Sequence, residues 1–422
     1  MHFHKTIFPN GLRLITIPMK NHPTVTVTVL VEAGSKYETK PISGISHFLE
    51  HMCFKGTLLR PKPIDIVKEL DSIGAQYNAF TAQEFTGYFA KADKRHFRTI
   101  LDVVSDIYLN SSLPPAEIEK EKGVIVEEIK MYQDLPPRHV GDVLLSLLYG
   151  DQPAGWDVAG NEQTVRAVSR EKLAKYRSAH YVPCATVVVV AGDVSLSEAR
   201  VATSAAFAHT KKEMKTGKKA VIEKQKAPKI KIEYKKTDQV HLALGIRTVA
   251  VGHADLDALK VMTCVLSGGM SSRLFQKMRD ELGICYYVNG SQNSFTDHGF
   301  LDVSAGVPLA RFSEALAAIL AELRRLKEEP VSANELKRVK NYLSGTLLLS
   351  LETSDSVADF YGAQEILHRP LRTPEEVLRR IGTVTGDDIT RVARKYLTNA
   401  RLNLASIGPQ KDTKELKKLL HL

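Results

Sequence analysis

The sequence predicts an α+β fold built as two related domains, and three observations carry that expectation. Short runs of alternating apolar residues are interspersed with long amphipathic helical segments. The same order of runs occurs twice in 422 residues, a length that also exceeds one ordinary core. A lysine-rich stretch lies near the midpoint, so domains are expected over 1–210 and 233–422, with a linker at 211–232. Each domain should be a mainly antiparallel sheet covered by helices.

The elements follow in order. "MHFHKTIFPNGLRLITIP" reads as a hairpin, two alternating runs about Pro9-Asn10-Gly11. The strand "TVTVTVLVEAG" from Thr24 leads to a helix in "GISHFLEHMCFKGT" from Gly44 and a second helix from about Pro63. A strand pair follows from Gly74 to Ala92. In the second half, "VHLALGIRTVAV" from Val240 leads to helices carrying "SGGMSSRLFQKMRDELG". Then "YYVNGSQNSFTDHGFLDVSAGV" gives two more alternating runs about a polar turn. Both halves continue with amphipathic helices and close on a strand, "ATVVVVAGDV" from Ala185 and "RLNLASIG" from Arg401.

Composition narrows the function classes. Apolar residues at 43% and charged residues at 25% are ordinary for a soluble globular chain. No run of about 18 apolar residues suggests a membrane span. The first residues lack the zones of a signal peptide, so a cytoplasmic protein is expected. Cys53, Cys184, Cys264 and Cys285 have no close spacing and read as reduced, packed thiols. The net charge of +10 is concentrated in residues 211–236, where eleven lysines face three glutamates. That stretch reads as a solvated linker, and without a basic stripe elsewhere no nucleic-acid partner is expected.

Chemistry enters at "HFLEH". Positions four apart on a helix lie about 40° apart, so His47 and His51 project from one face as two imidazoles sharing a metal must. Glu50 sits about 60° from His47, placed to serve as a base rather than a third ligand. The His-x-x-Glu-His spacing is that of the inverted zincins. On these residues alone an ordinary amphipathic helix, with Ile45, Phe48, Leu49 and Met52 as its apolar surface, stays open.

A catalytic zinc wants three protein ligands. In "EKEKGVIVEEIKMYQDLPP", Glu121, Val124, Ile125, Glu128 and Tyr132 fall at helical spacing on one expected inward face. Lys120, Glu127, Lys130 and Asp134 share the polar side. Two carboxylates on an inward face are costly without a compensating cation. Glu128 therefore becomes the third ligand and Glu121 the acceptor that orients a histidine. A Glu128 simply paired with a lysine remains the alternative.

With these motifs in hand, the chain resembles the pitrilysin/insulinase family of zinc metallopeptidases. The likeness is strongest to short-chain members related to the mitochondrial processing peptidase β-subunit. It spans nearly the whole chain, through "FPNGLRLI", "GISHFLEHMCFKGT", "YNAFTAQEFTGY", "EKGVIVEEIKMYQDLP", "YVPCATVVVVAGDV", "SGGMSSRLFQKMRDELGICYYV" and "LKRVKNYLSGTLLLSLET". The resemblance implies zinc (Zn2+) on His47, His51 and Glu128, with Glu121 behind them and Glu50 as general base. It implies an Arg-x6-Tyr pair in the C-terminal domain, Arg279 and Tyr286, and an edge strand at Asn78, Ala79 and Phe80 that binds extended peptide. It further implies two domains facing each other as a half-clamshell. The implied partners are a peptide or unfolded polypeptide substrate and a second copy of the chain, with a heterodimer as the alternative. A non-catalytic assembly subunit is the rival reading, and the intact His47, Glu50, His51 and Glu128 argue against it.

Overall fold

The computed structural model describes residues 2–411 and 414–422, which form two compact units. The first comprises Met1–Lys130, Trp156–Lys219 and Leu349–Thr373. Its strands are β1 (His4–Ile7), β2 (Arg13–Pro18), β3 (Thr24–Val31), β4 (Gln76–Thr81), β5 (Thr86–Asp93) and β6 (Thr186–Gly192). They make one sheet in the order β1-β2-β6-β3-β5-β4. β2 and β6 run parallel, and every other neighbour pair is antiparallel. The helices that matter to the site are α1 (Ile45–Cys53), α2 (Pro63–Ser72), α3 (Phe97–Asn110) and α4 (Pro115–Gln133).

The alternation in β3 sets the layers. Val25, Val27, Val29 and Val31 share a core with Phe48 and Met52 of α1 and Ile100 and Val104 of α3. Thr26 and Thr28 point the other way and are nonetheless buried. The helix Ser354–Ile366 covers that face, and Ser354 Oγ lies 2.8 Å from Thr26 Oγ1. A threonine row that alternation alone would leave in water is matched by a hydroxyl from late in the chain.

The second unit comprises Met131–Gly155, Ala220–Leu348 and Pro374–Leu422. β7 (Lys229–Tyr234), β8 (Gln239–Arg247), β9 (Tyr287–Ser294), β10 (Gly299–Pro308) and β11 (Leu402–Gly408) pair in the order β7-β11-β8-β10-β9. Only β7 and β11 are parallel. This is the first sheet strand for strand, without an equivalent of β1. The helix α5 (Pro136–Tyr149) packs Val140, Val143, Leu144 and Leu148 on Ala243 of β8 and on Ala405 and Ile407 of β11.

Two features differ from a linear reading of the sequence. The compact units are not contiguous: each takes a helix from the other half of the chain to cover one face of its sheet. The lysine-rich stretch is also more than a solvated linker. Its "KIKIEY" is β7, whose alternation places Ile230 and Ile232 against the second core. Earlier in the stretch, Lys215 Nζ reaches Glu32 Oε2 at 2.6 Å.

Glu32 is buried and also meets Arg13 Nη2 at 2.7 Å and His368 Nε2 at 3.1 Å. Burial pushes its carboxyl up, but the bonds from His368 and Lys215 outweigh burial and hold the pKa at about 2, below the usual 4.5. A depressed carboxylate pKa contributes stability that is present above the unfolded value and lost as pH falls towards the folded one. Glu32→Gln should therefore cost roughly 3 kcal/mol at pH 7. Thermal unfolding across pH should show the gap from wild type narrowing below about pH 4.5. A gap independent of pH would contradict the assignment.

Candidate metal centre

The helix α1 is started by its surroundings. Gly44 precedes it with φ of +91°, and a Cβ there would lie 2.4 Å from the Ala159 carbonyl oxygen. Only glycine suits both the conformation and the contact. The Glu38 carboxylate then accepts the Gly44 and Ser46 backbone N–H groups at 2.7 and 2.8 Å. It meets two of the donors that a helix leaves unpaired at its N-terminus. Burial pushes Glu38 up to about 7 against these bonds. Ile45, Phe48, Leu49 and Met52 anchor the helix in the core, which leaves His47, Glu50 and His51 on the more open side. Cys53 is buried with its thiol 3.3 Å from the Tyr88 hydroxyl and does not join the histidines.

The second helix is held with Glu121 and Glu128 at the margin of its buried face. Ile118, Ile125, Val126 and Ile129 are buried, as is Glu121, and Glu128 is half-buried. Val124, expected inward, is 52% exposed. The buried face is centred near Ile125 and Ile129, and Val124 lies about 100° or more from that centre. Glu127 faces solvent and pairs with Lys130 at 2.8 Å, leaving Glu128 as the carboxylate that faces α1.

Three donor atoms converge. His47 Nε2 and His51 Nε2 are 3.3 Å apart, and Glu128 Oε2 lies 3.6 and 3.5 Å from them. Metal–ligand bonds of about 2.05 Å at tetrahedral angles put neighbouring donors about 3.3 Å apart. The spacing and the donor set of two imidazoles and one carboxylate both fit a zinc ion. Charge points the same way: three carboxylates, Glu50, Glu121 and Glu128, crowd the site, with Lys55 paired to Glu121, and a dication relieves their repulsion.

The two histidines differ in protonation, His47 being held neutral and His51 having a proton for a metal to displace. Burial, reinforced by the neighbouring His51, depresses His47 to about 3, so its ring is neutral and available to a metal. At His51 burial is outweighed by the bond to Glu121 and by Glu50 and Glu128, which hold the imidazole above its ordinary value. Glu121 Oε1 is 2.9 Å from His51 Nδ1, and its Oε2 is 2.7 Å from Lys55 Nζ. With Nδ1 directed to Glu121, Nε2 is left to face the donor cluster. Glu50 is raised by burial, opposed by a 2.6 Å hydrogen bond from the Thr81 hydroxyl. Sequence reasoning missed Lys55 and Thr81. Lys55 was detectable four residues after His51, whereas Thr81 reaches Glu50 only through the tertiary fold.

The remaining candidates are placed as follows. Asn78, Ala79 and Phe80 lie in β4, which pairs with β5 and forms the edge of its sheet. Asn78 Oδ1 accepts the Ala79 N–H at 2.9 Å. Arg279 and Tyr286 belong to the second unit. The Arg279 guanidinium lies 5.0 Å from the Phe275 ring and 5.6 Å from the Tyr286 ring. Tyr286 is 79% exposed, an unusual state for a large aromatic and one that leaves its hydroxyl accessible.

Comparison with known proteins adds a lineage to this geometry. The profile of the family described as Insulinase (Peptidase family M16) matches residues 13–162, and that described as Peptidase M16 inactive domain matches residues 167–343. The chain belongs to the insulinase family of peptidases. Relatives in the insulinase family extend over nearly the full length. An uncharacterized zinc protease of Bacillus subtilis (strain 168) is 35% identical over 404 residues, covering 95% of this chain and 97% of that one. One of Streptomyces coelicolor is 32% identical over 417 residues, covering 97% and 90%. A protease from Helicobacter pylori shares the fold with a TM-score of 0.90 at 24% identity, covering 97% of this chain and 99% of that one. No helix among the described residues is long and apolar enough to cross a membrane.

Competition with a chromophoric chelator should find about one tight zinc per chain. Glu128→Gln should weaken binding about 100-fold, and Glu121→Gln about 10- to 100-fold. Glu127→Gln should leave zinc affinity unchanged; an equal loss there would show that the α4 register is misread.

Proposed function

We propose that this chain is a zinc-dependent endopeptidase acting on peptides or unfolded segments. The observation that carries the proposal is the convergence of His47, His51 and Glu128 with Glu50 beside them on the same helix. Held by those three side chains, zinc would supply Lewis acidity and lower the pKa of water to about 7. Glu50 takes a proton from the attacking water and returns it to the leaving amine. Thr81 donates a hydrogen bond to one of the Glu50 carboxylate oxygens, which leaves the other to exchange the proton. Glu121 keeps the His51 ring in the tautomer that presents Nε2.

The edge of β4 at Asn78, Ala79 and Phe80 would pair with an extended substrate, which gives affinity with little sequence demand. In the second domain, Tyr286 and Arg279 donate hydrogen bonds to the oxyanion that forms on the scissile carbonyl. The cation–π contact between them supports this role by holding the two donors together. The family resemblance supports a homodimer as the working form.

Glu50→Gln decides the mechanism: it should keep about one zinc per chain yet lose activity on a quenched random-peptide library by a factor of about 100 or more. Undiminished cleavage, or a wild type that holds no zinc, would overturn it. Tyr286→Phe should lower kcat more than it raises KM. An unchanged kcat would remove Tyr286 from the oxyanion.

A further inference from the structure

The hydroxyl of Thr81, the last residue of β4, donates to Glu50 Oε2 across 2.6 Å. That bond fixes one carboxylate oxygen and leaves Oε1 to exchange a proton with water, if the peptidase reading above holds. Thr81 is itself held by the turn that follows. Ala82 N–H bonds to the Phe85 carbonyl at 2.9 Å, while Ser35 and Lys36 N–H bond to the Ala82 and Gln83 carbonyls at 3.3 and 2.8 Å. The approach is close because Gly34 has no side chain: a Cβ there would lie 2.3 Å from the Ala82 oxygen.

A buried charge cluster locks this turn. Glu84 has a side chain only 2% exposed and meets two ammonium groups, Lys36 Nζ at 3.1 Å and Lys218 Nζ at 2.7 Å. The Lys36 side chain is fully buried. Lys218 comes from the lysine-rich stretch and also lies 5.4 Å over the Tyr37 ring. A carboxylate so deeply buried cannot leave its cations without a large desolvation cost, so the turn has one favoured position. The placement of Thr81 follows from it.

We propose that Thr81 is a positioning residue for Glu50, and that Lys218, acting through Glu84, makes the placement of Thr81 depend on the inter-domain lysine stretch. Linker and catalytic base are then mechanically coupled, so a change in how the stretch is docked alters proton transfer without touching a zinc ligand.

The test uses the full chain. Thr81→Val should lower kcat on the quenched peptide library about tenfold or more, with KM and zinc content unchanged, and Thr81→Ser should restore kcat. Thr81→Ala carries the same expectation should the valine variant misfold. Lys218→Met should lower kcat about threefold in wild type and have no further effect in Thr81→Val, and Lys218→Arg should rescue it. In metal-free protein, the loss of thermal stability from Thr81→Val should shrink in a Glu50→Ala background, because the two side chains share one bond. Equal kcat in wild type and Thr81→Val, or additive losses of stability, would overturn the role of Thr81. Equal losses from Lys218→Met in both Thr81 backgrounds would remove Lys218. A wild type that cleaves nothing would sink the peptidase reading alone, since the metal-free cycle still measures the contact.

Discussion

Where α1 meets α4, the carboxylates of Glu50, Glu121 and Glu128 crowd against two imidazoles, with Lys55 paired to Glu121. Crowded negative charge in a half-buried space is unfavourable, and much of the surrounding structure can be understood as holding that charge in register. Glu38 at the start of α1 fixes the height of the histidines, and the buried face of α4 fixes how far Glu128 reaches. Glu121 turns the His51 ring, and Thr81 turns the Glu50 carboxylate. The helices thus bring the donors close enough for a dication to relieve the repulsion, which couples metal binding to the packing of the domain.

Much of this was legible in the sequence because helical periodicity is a local property. His47 and His51 at i and i+4 must share a face, and the same arithmetic separates Glu128 from Glu127. The arithmetic was less reliable at Val124, which lies three residues from Glu121 yet falls outside the buried arc. Composition misled at the lysine stretch: eleven lysines hid the alternation of "KIKIEY", the signal that marks β7. Thr81, Lys36, Glu84 and Lys218 could not be found from one sequence, because the bonds that matter join residues 31 to 134 positions apart or depend on a turn packing beside β3. Arg279 and Tyr286 carry no local pattern and stand out only through the family resemblance.

The two sheets repeat one strand order, but among the described residues the histidine pair accompanies the first alone. After β8, the strand equivalent to β3, the helix Leu256–Ser267 presents Leu259, Met262, Val265 and Leu266 to its core and has no histidine. A duplicated scaffold keeps its packing rules in both copies, since the apolar faces must be buried in each. Among the described residues the metal donors gather in one copy, while the other carries different groups, such as Arg279 and Tyr286 in cation–π contact.

The helix that covers Thr26 and Thr28 comes from residues near 354, well after the lysine stretch. During synthesis, the first sheet therefore emerges with one face open while roughly 150 further residues are made, which takes on the order of ten seconds at ordinary translation rates. The usual economy of a two-domain chain, in which the leading domain finishes before the trailing one begins, is not open to this protein. Its folding is closer to a single late event, and until then Leu30 and Val189, which the late helix meets at Gly362, wait uncovered beside the threonines as a partly apolar surface open to wrong contacts.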